Sequence, residues 1–327
     1  MITATNGGPV HGVDRRLEVC SMLWNALHRS RLHPPRNPAS VSAAFVALSA
    51  VCWGLAGGIG GMLMAEGWDP IMVSFYRGAV GFLFVLVWLA LRPGGSGMAS
   101  RRLWFWSAIA GFGVAGNFAF YLLSISNSSV SVAAMLMYCA PVFVFLVSFA
   151  LRLEKPTPLK CVSIAAVMLG VVLLTRSYEV GGGAVTPLGI GAGLLSGLSY
   201  AVFIFGFKYA ARHGSPRAIL VIAFAALVVV LGWLGDPDQA VAALRSRSLP
   251  LFILLGVLGA GVSFIFYIVG LRNTAPAVAS IVAMVEPLTA SLFSVLFLNE
   301  SLVGPQLLGM GIILVTVSAL SVSSSAQ

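Results

Sequence analysis

The chain has 327 residues, 59% of them hydrophobic and only 9% charged, with a mean hydropathy of +0.98. Charged residues make up about a quarter of ordinary soluble domains, so composition excludes that class. A formal charge of +9 and a pI of about 9.9 suit a nucleic-acid binder, but the basic residues sit in tails and loops between apolar segments. That placement belongs to a membrane protein, with a lipid bilayer rather than a nucleic acid as its partner.

Residues 1–38 come first, with five arginines, three of the four histidines and no apolar core of signal-peptide type. They read as a disordered cytoplasmic tail; a regulatory or anionic-lipid contact is the alternative. Ten apolar segments follow, at 41–65, 69–91, 103–125, 129–151, 158–175, 187–210, 216–234, 250–271, 276–298 and 304–323. Each is close to the roughly 20 residues that cross the hydrocarbon as a helix. Asp69-Pro70, Thr157-Pro158, Thr186-Pro187 and Ser215-Pro216 each put an N-cap residue before a proline suited to a first turn. An N-terminus inside leaves 15 basic residues in inner loops and tails against Arg176, Arg245 and Arg247 outside, which places both termini in the cytoplasm.

The second half repeats the first at a spacing of 146 residues. Gly113, Phe118, Phe120, Tyr121, Asn127, Val132, Ala133, Pro141, Leu146, Ser148 and Glu154 recur as Gly259, Phe264, Phe266, Tyr267, Asn273, Val278, Ala279, Pro287, Leu292, Ser294 and Glu300. Upstream, Ser49 and Trp53 fall opposite Ser196 and Tyr200 at a spacing of 147. Each copy holds five spans, so the second is inverted. The predicted fold is an all-α integral membrane protein of ten transmembrane helices, built as two inverted five-helix repeats (39–178 and 184–324) around a central cavity. Inverted repeats are characteristic of secondary transporters.

Small residues mark helix contacts. Gly57 and Gly61 have GxxxG spacing in the first span, and Gly189, Gly193 and Gly197 form a ladder in the sixth; both suit tight packing or sliding surfaces. Pro141 and Pro287 stand deep in spans four and nine, where they deprive the carbonyls of Met137 and Ala283 of a helical donor and kink or break the helix. Two ionisable side chains are intramembrane. Arg77 lies about 12 Å from the outer end of span two, and Glu286 about 15 Å from the inner end of span nine, at similar depth. A charge there costs at least ~2.5–3.5 kcal/mol, so each needs a partner. Either Arg77 receives a carboxylate while Glu286 takes an ammonium group or a proton, or the two form a structural ion pair. At the matched positions stand Ala223 and Ala140, so the pocket is asymmetric. Trp53, Asn117, Tyr121, Tyr138, Tyr200 and Tyr267 are further candidates for lining it, with packing as the alternative role of each.

All four histidines lie in a tail or loop, so no intramembrane triad or zinc site is built, and no Walker A sequence occurs. No enzyme, metal or cofactor is expected. Tyr138-Cys-Ala-Pro141 through Leu153-Glu154-Lys-Pro-Thr157 resembles the end of the fourth helix of EamA domains, and Val285-Glu286-Pro287 through Leu298-Asn-Glu300-Ser fits the same signature. Ala50-Val-Cys-Trp53-Gly54 resembles the opening helix of that family, and Phe75-Tyr-Arg77-Gly its second. The resemblance, to the drug/metabolite transporter superfamily, implies a ten-helix carrier of the cytoplasmic membrane. Such a carrier commonly exports amino acids or other small metabolites, and one copy suffices. An anion or phosphate-ester exchanger and a non-transporting receptor or scaffold remain the alternatives.

Overall fold

The computed structural model describes residues 38–128, 130–153, 155–179, 186–297 and 301–324. Residues 1–37 of the predicted tail, Glu154 and Glu300 lie outside the described residues, which form helices and no strand. The first repeat comprises α1 (Pro38–Ala65), α2 (Pro70–Leu91), α3 (Arg101–Ser126), a broken span of α4 (Val130–Met137) and α5 (Ala140–Ala150), and α6 (Pro158–Thr175). The second opens with α7 (Pro187–Ala210) and α8 (Pro216–Leu234), followed by a short α9 (Pro237–Arg245). Its third span runs from α10 (Leu249–Gly256) through a π-helical turn (Val257–Val262) into α11 (Ser263–Leu271). A second broken span, α12 (Pro276–Val282) and α13 (Val285–Phe297), precedes α14 (Gly304–Ser324). Among the described residues nine spans are long and apolar enough to cross a membrane, and Gly304–Leu320 is a shorter apolar helix. With it the bundle has ten.

Local chemistry sets the boundaries. Asp69 accepts from Ile71 N and Met72 N, Thr157 from Lys160 N, Thr186 from Gly189 N and Ser215 from Ala218 N, each before a proline whose missing N–H needs no partner in the first turn. Asp236-Pro237 does the same for α9, which the sequence reading missed. This amphipathic helix lies over the ends of α1, α2 and α10. The Tyr76 hydroxyl donates to Ala240 O, Asp69 N donates to Gln239 Oε1 at 3.0 Å, and Ala243 joins a core cluster with Tyr76 and Phe252. At the opposite, basic end, Lys208 Nζ donates to the carbonyls of Leu271, Arg272 and Thr274 at 2.6–3.0 Å, closing the C-terminus of α11.

Both prolines break their spans. Pro141 and Pro287 sit in the first turn of the second half-helix, and Glu286 N donates to the Ala283 carbonyl at 2.9 Å in place of the donor Pro287 lacks.

Helices meet where side chains vanish, because lipid tails are as apolar as leucine and close packing must supply the attraction. The approaches come in symmetry-related pairs. A Cβ on Gly113 would come within 2.8 Å of Phe203 N, and one on the matched Gly259 within 2.5 Å of the Cβ of Ala56, the residue matched to Phe203. Gly111 is tighter still, 2.3 Å from Ala223 O by the same measure. Gly189, Gly193 and Gly197 of α7 pack on the Asn127 and Leu136–Met137 backbone and side chains. The GxxxG pair of α1 does not pack. Gly57 and Gly61 meet nothing within 4 Å, while Gly54 and Gly58, on the neighbouring helical face, carry the contact to α13. The spacing was right and the phase was wrong.

Candidate functional site

The site forms where the broken spans, α1, α2, α7 and the π-turn converge. In that turn the Ser263 N–H, which an α-helix would give to Gly259 O, goes to Leu258 O and Ala260 O. Gly259 O accepts instead from Arg77 Nε at 3.0 Å. The missing side chain at Gly259 makes the approach possible, since a Cβ there would lie 3.1 Å from Nε. The Phe118 ring packs 5.1 Å from the guanidinium carbon. Arg77 is thus fixed by one nitrogen, and its two terminal nitrogens have no acceptor among the described residues.

Glu286, in the first turn of α13, shares the interior with Arg77, and the two attract each other electrostatically. No ion pair joins them, and Glu286 Oε2 is enclosed without a hydrogen-bond partner. Both side chains are half-buried, so each keeps accessible surface. Of the two sequence-derived alternatives, a direct structural pair is therefore not the arrangement found. Tyr138 and Tyr200 lie close enough to both charges to interact with them, and Tyr121 and Tyr267 to Glu286. Trp53 packs 4.9 Å from Tyr267 and 5.0 Å from Phe264, centroid to centroid, and edge-on to Phe203. Trp53, Tyr200 and Tyr267 are all at most 3% exposed, so they form a packed aromatic floor rather than an open cage.

Asn117 has a different surrounding. Its Nδ2 donates to Ser196 O at 3.1 Å and to Ser196 Oγ at 3.0 Å, while Ser196 Oγ donates back to Asn117 O at 2.9 Å. This reciprocal clasp joins α3 to α7 in a fully buried interface. Asn117→Ala should cost about 1 kcal/mol of stability, seen as a lowered thermal midpoint in detergent, because both Nδ2 bonds to Ser196 are lost while Ser196 Oγ keeps its bond to the residue-117 carbonyl.

No sequence signal marks Gly259 as the anchor of Arg77. The run Val-Leu-Gly-Ala-Gly-Val, two glycines around an alanine in an apolar helix, is the one cue to a local irregularity. A separate cleft of about 180 Å³ at the basic end, lined by Lys208, Tyr209, Arg212 and Pro276 among others, does not include Arg77 or Glu286.

Two stretches of the chain, residues 41–176 and 187–322, match the model of the EamA-like transporter family. The chain belongs to the EamA-like transporter family. An uncharacterized transporter of Archaeoglobus fulgidus is 32% identical over 286 residues, covering 84% of this chain and 94% of that protein. The uncharacterized transporter YwfM of Bacillus subtilis is 22% identical, with 88% and 96% covered, and Protein PecM of Dickeya dadantii is 25% identical over 54% and 60%. A crystal structure superposes with a TM-score of 0.69 at 15% identity, covering 88% of this chain and 97% of its own, a likeness of fold. EamA membership makes the chain a multi-pass membrane transporter of two repeats. The Arg77–Glu286 region lies where those repeats meet.

Proposed function

We propose that this transporter is a secondary carrier of the cytoplasmic membrane that exports amino acids or related small metabolites by alternating access, with proton movement coupled through Glu286. One observation carries the reading: a cation and an anion share the interior near one another with no ion pair between them. An intramembrane charge costs at least ~2.5–3.5 kcal/mol, and a direct ion pair is the cheapest way to hold two of them. Keeping them apart leaves Arg77 a carboxylate to bind and Glu286 an ammonium group or a proton. The aromatic floor suits the organic remainder of such a solute.

The basic end is taken as cytoplasmic. There α12 packs against α5. This arrangement fits a carrier closed on the inside. Phosphate-ester exchange fits less well, because Arg77 is the sole intramembrane cation and such substrates carry fixed negative charge.

The test is uptake into proteoliposomes of the twenty L-amino acids and their decarboxylated amines, with and without a pH gradient. At least one zwitterionic solute should accumulate against its gradient, and collapse of the pH gradient should release it. Failure of folded protein to move any of these solutes, or preferential movement of phosphate esters, defeats the proposal.

A further inference from the structure

The two repeats differ at one seam in a way that the transporter reading does not use. At one of the two symmetry-related seams, Asn117 of the first copy and Ser196 of the second are clasped across α3 and α7. Their matched residues are Ser263 in α11 and Ser49 in α1. The approach of Gly259 to Ala56 and of Gly270 to Ser42 and Val46 brackets Ser263 against the 49–53 stretch of α1. No clasp forms there. Ser49 Oγ turns back to donate to Val46 O at 2.8 Å, and Ser263 Oγ, fully buried, has no partner. Serine is shorter than asparagine by about the volume of one water molecule, roughly 30 Å³ in the liquid.

More unpartnered polar atoms border the same place. Trp53 Nε1 and Tyr267 Oη are each enclosed without a hydrogen-bond partner among the described residues, and beside them the Tyr200 hydroxyl and Glu286 Oε2 lie close to each other without good hydrogen-bond geometry. Trp53 rests on Tyr267, which lies one turn beyond Ser263 on α11, and both tyrosines interact with Glu286. Buried polar groups are almost always hydrogen-bonded, so a cluster of this kind requires a partner. Four of the five are donors, three of them hydroxyls that also accept, and the fifth is a carboxylate oxygen. The partner must therefore accept from the donors and donate to the carboxylate.

We propose that the vacated clasp position between α1 and α11 is a bound-water site, whose water or small water cluster joins Trp53, Ser263 and Tyr267 to Glu286. Water satisfies that requirement, accepting from the indole and hydroxyl groups while donating to Glu286. The site itself stands on these contacts; its use as a proton path to Glu286 rests on the proposed coupling role.

Hydroxyl-radical footprinting of the purified full chain with X-rays tests it, since radiolysis of a bound water modifies the side chains beside it. Trp53, Tyr200 and Tyr267 should react about tenfold faster than the equally buried Phe207 and Phe224, a gap beyond the intrinsic difference between ring types. Ser263→Asn, which rebuilds the clasp opposite Ser49, should slow Trp53 and Tyr267 about threefold and leave the exposed Trp233 unchanged. Ser263→Ala keeps the space and should keep the labelling, which decides the matter where the asparagine variant does not fold. Trp53 and Tyr267 reacting as slowly as the two phenylalanines, or unaffected labelling in folded Ser263→Asn, overturns the site. Footprinting needs neither solute nor gradient, so a positive result beside a failed uptake screen keeps the water site and discards the carrier proposal.

Discussion

Glu286→Gln should remove pH-gradient-driven accumulation altogether while leaving solute exchange between the two sides of the membrane. Glutamine keeps the shape of the side chain and its place beside Tyr200. What it cannot do is carry a proton. A carrier that moves one proton per solute across a gradient of two pH units concentrates its solute about a hundredfold, since each 1.4 kcal/mol is a factor of ten. The variant should bring that ratio to unity, with counterflow of labelled against unlabelled solute still measurable. Accumulation at the wild-type level in Glu286→Gln removes Glu286 from coupling. Loss of both accumulation and counterflow in folded protein assigns it to solute binding instead.

A second large effect comes from a glycine three residues from another that should do the opposite. A Cβ at Gly54 would lie 2.5 Å from Thr289 Cβ, 2.6 Å from Glu286 O and 2.9 Å from Ala290 N. Two of these are backbone atoms of α13, which cannot rotate away, so Gly54→Ala forces α1 and α13 apart at the turn that holds Glu286. The expected cost is about 1–3 kcal/mol or more, with uptake falling alongside stability. Gly57→Ala meets nothing within 4 Å and should raise stability by roughly 0.5–1 kcal/mol through helix propensity. Thermal unfolding of the two variants in one detergent compares them directly. Equal effects at both positions contradict the packing of α1 on α13.

Features of short range were legible in the sequence. The Asp69, Thr157, Thr186 and Ser215 caps form as the dipeptides predict, because capping involves only the next three residues. Pro141 and Pro287 disrupt their spans because the lost donor is a property of the residue itself. The depth of Arg77 and Glu286 followed from the helical rise, which is why their closeness was expected. Whether they touch was not legible, since it depends on the lateral placement of α2 against the π-turn and α13. The π-turn hides in a run that reads as ordinary apolar helix, and its consequence, Gly259 O turned to Arg77, depends on a residue 182 positions away. The clasp of Asn117 on Ser196 is similar: the repeat aligns each with its counterpart in the other copy, but only tertiary register puts α3 against α7. The GxxxG reading failed at Gly57 and Gly61 because spacing fixes a helical face without saying which neighbour that face meets.

The claim at the centre of this account is that Arg77 holds the carboxylate of the transported solute, beside a Glu286 that carries the coupled proton. Equilibrium binding of a transported amino acid and of its decarboxylated amine to purified wild-type and Arg77→Ala protein tests it most directly. The guanidinium should matter only to the ligand that has a carboxylate: Arg77→Ala should weaken the amino acid about ten- to a hundredfold, the worth of a charged hydrogen bond, and leave the amine unchanged. Equal weakening of both ligands, or of neither, would contradict the assignment.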